Sequence, residues 1–198
     1  MFTIRSTGSM AIALLCAGLA IAQEDAAVQE KAEPVGQEDA AVQEKAGIDA
    51  ASQAALDELI AANPDARGLY DKAAGYATFT AVKAGFFVTG GRGTGVAVNK
   101  GSGQRKYMRM ATGGIGIGIG GQRYSLIVLF EDEAHLGRFI EGGWDGSASA
   151  EAAAGSDGIT VGSSFVGGLA IFQLTDRGLM AQADVSGTRF WVIDDLND

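Results

Sequence analysis

Seven cations, Lys83, Arg92, Lys100, Arg105, Lys106, Arg109 and Arg123, fall between Ala73 and Phe130 in a stretch with no aspartate or glutamate. The rest of the chain carries enough carboxylates to bring the formal net charge to −9. Fixed cations hold anions without further machinery. Segregated on an acidic protein, they suit lipid headgroups or an acidic protein surface. Nucleic acid is a poor fit, because the sequence pI is about 4.6 and no nucleic-acid motif is present. Strand neighbours alternate between faces, so Lys106 is set apart from Arg105 and Arg109. The spacing leaves open whether the seven cations form one patch or scatter.

Catalytic side chains are scarcer. His135 is the sole histidine and lies in a segment with acids at 131–133, where a surface side chain is expected rather than a base. No His, Cys, Asp or Glu cluster has metal-ligand spacing. GSASA at 146–150 lacks the second glycine and the strand of a nucleophile elbow. Asp145, Asp157, Asp176 and Asp184 sit in turn-like or surface contexts, and acid–base work needs carboxylates that converge. The expectation is a protein without catalytic residues, metal or cofactor.

TGGIGIGIGGQRY, residues 112–124, places Gly114, Gly116, Gly118 and Gly120 at alternate positions. A phosphate-cradling loop needs a strand before it and a helix opening after it. This segment runs into SLIVLF, which reads as a strand. As a strand, it puts the four glycines on one face and Ile115, Ile117 and Ile119 on the other. A bare strand face implies close approach by something bulky. Two occupants fit: a helix or ring of the same domain, or a ligand such as an acyl chain. Internal contact is the commoner meaning of strand glycine.

The elements that must position these residues follow from periodicity. Ile48, Ala51, Ala55, Leu56, Leu59 and Ile60 mark one face of a helix over 48–62, stopped by Asn63-Pro64. A second short helix is expected over 65–74. From Tyr76 the pattern is strands: TFTAVKAGFFVTGG, TGVAVNK, QRKYMRM, the glycine–isoleucine segment and SLIVLF. EDEAHLGRFIEGG reads as a helix capped by Asp132, with Leu136, Phe139 and Ile140 on one side. GITVGSSFVGG, LAIFQLT, GLMAQADVSG and TRFWVID read as further strands, with a hairpin at Asp176-Arg177-Gly178. The fold class is α+β: a strongly curved antiparallel sheet or half-barrel, with a few helices packed on one side. An outer-membrane barrel is disfavoured by the helices and by the DDLND terminus.

Residues 1–22 have signal-peptide anatomy, with Arg5, an apolar run from Met10 to Ile21 and the small-x-small site Ala20-Ile21-Ala22. Leu15 before Cys16 argues against lipidation. Cleavage removes the sole cysteine, so neither disulfides nor thiol chemistry are expected after export, and the setting suggested is a Gram-negative periplasm. QEDAAVQEKA at 23–32 recurs unchanged at 37–46. With little to bury, and with Pro34 and Gly36 between the copies, 23–46 reads as an acidic duplicated linker before a single domain at 47–198.

The order of motifs resembles the SYLF lipid-binding domain, known also from yeast actin-associated proteins. The matching features are AGYATF at 74–79, K-A-G-F at 83–86, G-x-G at 93–95, G-G-Q at 120–122 before an apolar strand, the helix carrying Phe139, and R-G-L-M-A at 177–181. The resemblance covers roughly 50–193, and its order and spacing are more specific than any single motif. It implies anionic-lipid binding, phosphoinositide in eukaryotic members, and no catalysis. Two departures turn the expected ligand away from phosphoinositide and from actin. The region matching a basic amphipathic segment is the acidic QEDAAVQEKA, and no proline stands near Ala111-Thr112. Phosphatidylglycerol or cardiolipin, met through the cations at 83–123, is the lipid this reading points to. The rival expectation is an envelope protein-interaction module without lipid affinity.

Overall fold

The computed structural model describes residues 35–85, 88–115, 121–142, 164–175, 178–180 and 187–198. The expected leader with Cys16, the first repeat copy, and Gly116, Gly118 and Gly120 lie outside the described residues. In chain order the elements are α1 (Val35–Ala62), α2 (Pro64–Lys72), β1 (Gly75–Gly85), β2 (Val88–Asn99), β3 (Arg105–Ile115), β4 (Gln122–Phe130), α3 (Glu133–Gly142), β5 (Leu169–Thr175), β6 (Gly178–Met180) and β7 (Thr188–Val192), with a 3-10 turn at Asp194–Leu196. The strands form one seven-stranded sheet in the order β6-β5-β4-β1-β2-β3-β7, antiparallel throughout and not closed on itself. The fold is α+β, as the sequence indicates.

Alternation along the strands makes both faces of the sheet apolar, so both need cover. Tyr76, Val96, Ile127, Leu129 and Phe172 pack with Ile48, Leu56 and Leu59 of α1 and Leu69 of α2. On the other face, Phe79, Met108, Met110, Leu126, Phe130 and Phe190 pack with Leu136 and Phe139 of α3. The helices therefore lie on both sides of the sheet, not on one as expected.

The face under α3 is concave. Two strands separate β1 from β7, which would hold their side chains roughly 14 Å apart in a flat sheet. The Phe79 and Phe190 ring centroids are 4.8 Å apart. Phe139 touches both rings and Phe130, at 6.2, 5.3 and 5.1 Å. Glycines of β2 permit this coiling. A Cβ on Gly93 would stand 2.5 Å from the Thr80 carbonyl oxygen, and one on Gly95 would overlap the Thr78 carbonyl and the Phe79 ring. Close approach among the described strand glycines is therefore seen at Gly91, Gly93 and Gly95 of β2, while Gly90 faces open space. At Gly114, the described member of the expected set, a Cβ would meet Thr89 Oγ1 at 3.5 Å, an ordinary contact.

Four boundaries differ from the sequence reading, one being that β3 runs on from QRKYMRM to Ile115, into the segment read as a separate glycine–isoleucine strand. The stretch 78–91 belongs to two antiparallel strands, β1 to Gly85 and β2 from Val88; the apolar run AGFFV hid the break, and Phe86 and Phe87 lie outside the described residues. Of GITVGSSFVGG, the described part holds an isolated bridge from Val166 to Leu169, closed by Gly167 and Gly168 at φ of 58° and 78°. The helix expected from Ile48 begins at Val35, so the second repeat copy is helix, and the compact unit runs from Pro34 to Asp198. A proline just before the first turn removes no helical hydrogen bond, and an interior glycine costs about 1 kcal/mol. Ala41 packs on the core, and Lys45 Nζ stands 5.7 Å from the Tyr107 ring centroid. Those contacts, invisible in the repeat's composition, offset the ordering cost.

Asn63 accepts a hydrogen bond from the Asp65 N–H at 3.0 Å, so the Asn63-Pro64 stop also starts α2. β5 and β6 pair as the expected hairpin requires, with Thr175 opposite Gly178, while Asp176 and Arg177 lie outside the described residues.

Candidate anion-binding face of the sheet

Directly opposed residues in an antiparallel ladder share a face. Arg123, Val82, Arg92, Ala111 and Arg189 form one such row across β4, β1, β2, β3 and β7. The adjacent row is Ser125, Thr80, Thr94, Arg109 and Trp191. The next, Ile127, Thr78, Val96 and Tyr107, is buried on the side of the sheet that carries α1. Beyond that buried row the outer face opens. Arg92, Arg109, Arg123 and Arg189 are exposed. Val82 and Trp191, two of the large exposed apolar side chains, lie among them at 47% and 43% exposure. Among the described residues, none of these four arginines pairs with a carboxylate.

Of the seven cations read from the sequence, the fold thus unites Arg92, Arg109 and Arg123 and separates the other four. Lys83 opposes Gly91 and Lys106 opposes Ala97, which places both on the concave side. Lys100 Nζ donates to the Tyr70 carbonyl at 2.5 Å and lies 4.4 Å from the Tyr70 ring centroid, holding α2 to the β2–β3 turn. Arg105 Nη1 is 2.6 Å from Asp49 Oδ2 on α1. The Asp49 hydrogen bond, then its charge, pushes the Arg105 pKa up. The Tyr107 hydroxyl also donates to Asp49 Oδ2, at 3.2 Å, and its pKa is raised first by burial and then by the Asp49 charge. Arg105 is a strap between helix and sheet, not a free cation.

Arg189 and Trp191 escaped the sequence reading. Their i, i+2 spacing puts them on one strand face, but only the pairing of β7 with β3 brings them beside Arg92 and Arg109. A cleft of about 300 Å³ also escaped it. Glu44, Gly47 and Ser52 of α1 form one wall, and Thr78, Thr80 and Thr94 of the sheet form the other. At its inner end Thr78 Oγ1 donates to Ser52 Oγ at 2.6 Å.

The sole histidine is a half-buried staple rather than a surface side chain. Asp132 Oδ1 accepts from the His135 N–H at 2.8 Å and lies 2.7 Å from its Nδ1, while the ring lies against Gly168. The first of these bonds lowers the Asp132 pKa most. Among the described residues no group of three or more His, Cys, Asp or Glu converges as a metal site.

Fold and site define a class: an α+β protein with an open, coiled antiparallel sheet, closed by its own aromatics on one side and edged with arginines on the other. No family model matches the chain. It is 36% identical over 147 residues to beta cell expansion factor A of Aeromonas veronii, an overlap covering 74% of this chain and 56% of that protein. The chain therefore spans just over half the length of this curated relative.

Proposed function

We propose that this chain is a non-enzymatic, exported SYLF-type protein that associates with anionic membrane lipid in the cell envelope, through the open outer face of its sheet. The observation that carries the reading is the set Arg92, Arg109, Arg123 and Arg189, exposed, without carboxylate partners among the described residues, and interspersed with Val82 and Trp191. Each cation at an anionic bilayer surface contributes about 1 kcal/mol. Tryptophan suits the boundary between headgroup and acyl chain. The net charge of −9 opposes the attraction elsewhere on the protein, so binding is weak and salt-sensitive. The SYLF resemblance supports the same ligand class.

Flotation with phosphatidylglycerol vesicles tests this. The triple substitution Arg92→Gln, Arg109→Gln, Arg123→Gln abolishes flotation with the melting temperature retained, whereas Arg105→Gln leaves binding in place. Binding of the wild type fades as salt rises. Equal flotation with neutral and anionic vesicles, indifferent to salt and to the triple change, overturns the electrostatic mechanism. No binding to any vesicle transfers the face to a protein partner.

A further inference from the structure

The geometry points to a headgroup subsite in the cleft beside α1, selective for an anionic phospholipid whose headgroup ends in free hydroxyls, as phosphatidylglycerol does. The inference rests on the lipid-binding reading and adds the recognition chemistry. Thr80, Thr94 and Arg109 stand side by side in one cross-strand row. Neighbouring positions in such a row are about 5 Å apart. A phosphate on the Arg109 guanidinium therefore places its glycerol tail over Thr94 and Thr80, which line the cleft. Threonine hydroxyls donate and accept, matching a diol.

The facing wall supplies Glu44. An ionised carboxylate only accepts hydrogen bonds. It can receive a glycerol hydroxyl; phosphatidylserine brings instead a carboxylate that it repels beside an ammonium that it attracts, and no hydroxyl for the threonines. The volume, about 300 Å³, is at the lower limit of small-ligand pockets, fit for a headgroup and not for acyl chains. The chains stay in the bilayer, against Val82 and Trp191.

The test uses the full protein and phosphatidylcholine vesicles carrying equal mole fractions of phosphatidylglycerol or phosphatidylserine. Wild type binds phosphatidylglycerol about five- to tenfold more tightly, the worth of one or two neutral hydrogen bonds. The near-isosteric pair Thr80→Val and Thr94→Val brings phosphatidylglycerol binding down to the phosphatidylserine level and leaves phosphatidylserine binding unchanged. Glu44→Ala, which removes the acceptor, narrows the preference for phosphatidylglycerol over phosphatidylserine, and its place on exposed helix surface makes it the variant least prone to misfold. Equal wild-type binding to both lipids overturns the subsite while the lipid reading stands, and no binding to either overturns both. Water-soluble glycerophosphoglycerol is the final arm: affinity equal to that for the vesicles would make the occupant a free phosphodiester rather than a lipid.

Discussion

The concave and outer faces of this sheet are made by the same strands, yet the domain closes one and leaves part of the other open. On the concave face Phe79, Phe130, Phe139 and Phe190 meet ring to ring, and all four are at most 2% exposed. On the outer face the buried rows give way to Thr80 and Thr94, then to arginines. The difference comes from the sheet's coiling. Bending inward gathers the concave side chains until they fill their own space, with one short helix as lid. The same bend splays the outer side chains, and α1 with α2 covers only part of them. What stays uncovered is therefore mostly threonine and arginine, with Val82 and Trp191 exposed among them.

The strongest way to break this contrast is to block the coiling. Gly95→Val sets a branched side chain against the Thr78 carbonyl and the Phe79 ring, and costs about 3 kcal/mol or more. Gly114→Ala, where a Cβ finds only an ordinary contact, changes stability by less than about 0.5 kcal/mol. Urea melts of the two variants decide it; equal effects would mean that β2 does not set the curvature.

A smaller effect sharpens the contrast from the outer face. Ser52→Ala strands the buried Thr78 hydroxyl and costs about 1–2 kcal/mol. Adding Thr78→Val removes the orphan and restores most of the loss, because deleting both partners of a buried bond is nearly neutral. Additive losses in that double-mutant cycle would show that the hydroxyl pair does not seat α1.

The smallest effect lies at the α3 lid. The Asp132 carboxyl is held below its ordinary 3.8 by the His135 N–H and ring. A carboxylate with a lowered folded-state pKa stabilises above the unfolded value, and that contribution disappears as pH falls through the folded one. Melting temperature accordingly drops more steeply below about pH 4 in wild type than in Asp132→Asn. Parallel curves would assign acid sensitivity to other carboxylates.

Much of this architecture is local and therefore readable in the chain. Asp132 with the Leu136 and Phe139 spacing specifies a capped amphipathic α3, and the T-D-R-G run specifies the β5–β6 turn, because both depend on neighbours within a few residues. The absence of acids from 73–130 was equally plain, and it marked three of the four arginines on the open face. The rest is register. Which of seven cations share a surface depends on how β1 to β4 and β7 align, and a one-residue shift moves a side chain to the opposite face. Gly93 and Gly95 look no more constrained in sequence than Gly114; only the strand lying across them separates the two cases. The QEDAAVQEKA copy at 37–46 is helical, with Ala41 and Lys45 on the core and Glu44 in the cleft. Composition alone makes such a segment a solvated linker, since it has nothing of its own to bury; the sheet supplies the surface that orders it, and that surface exists only after strands distant in sequence have paired.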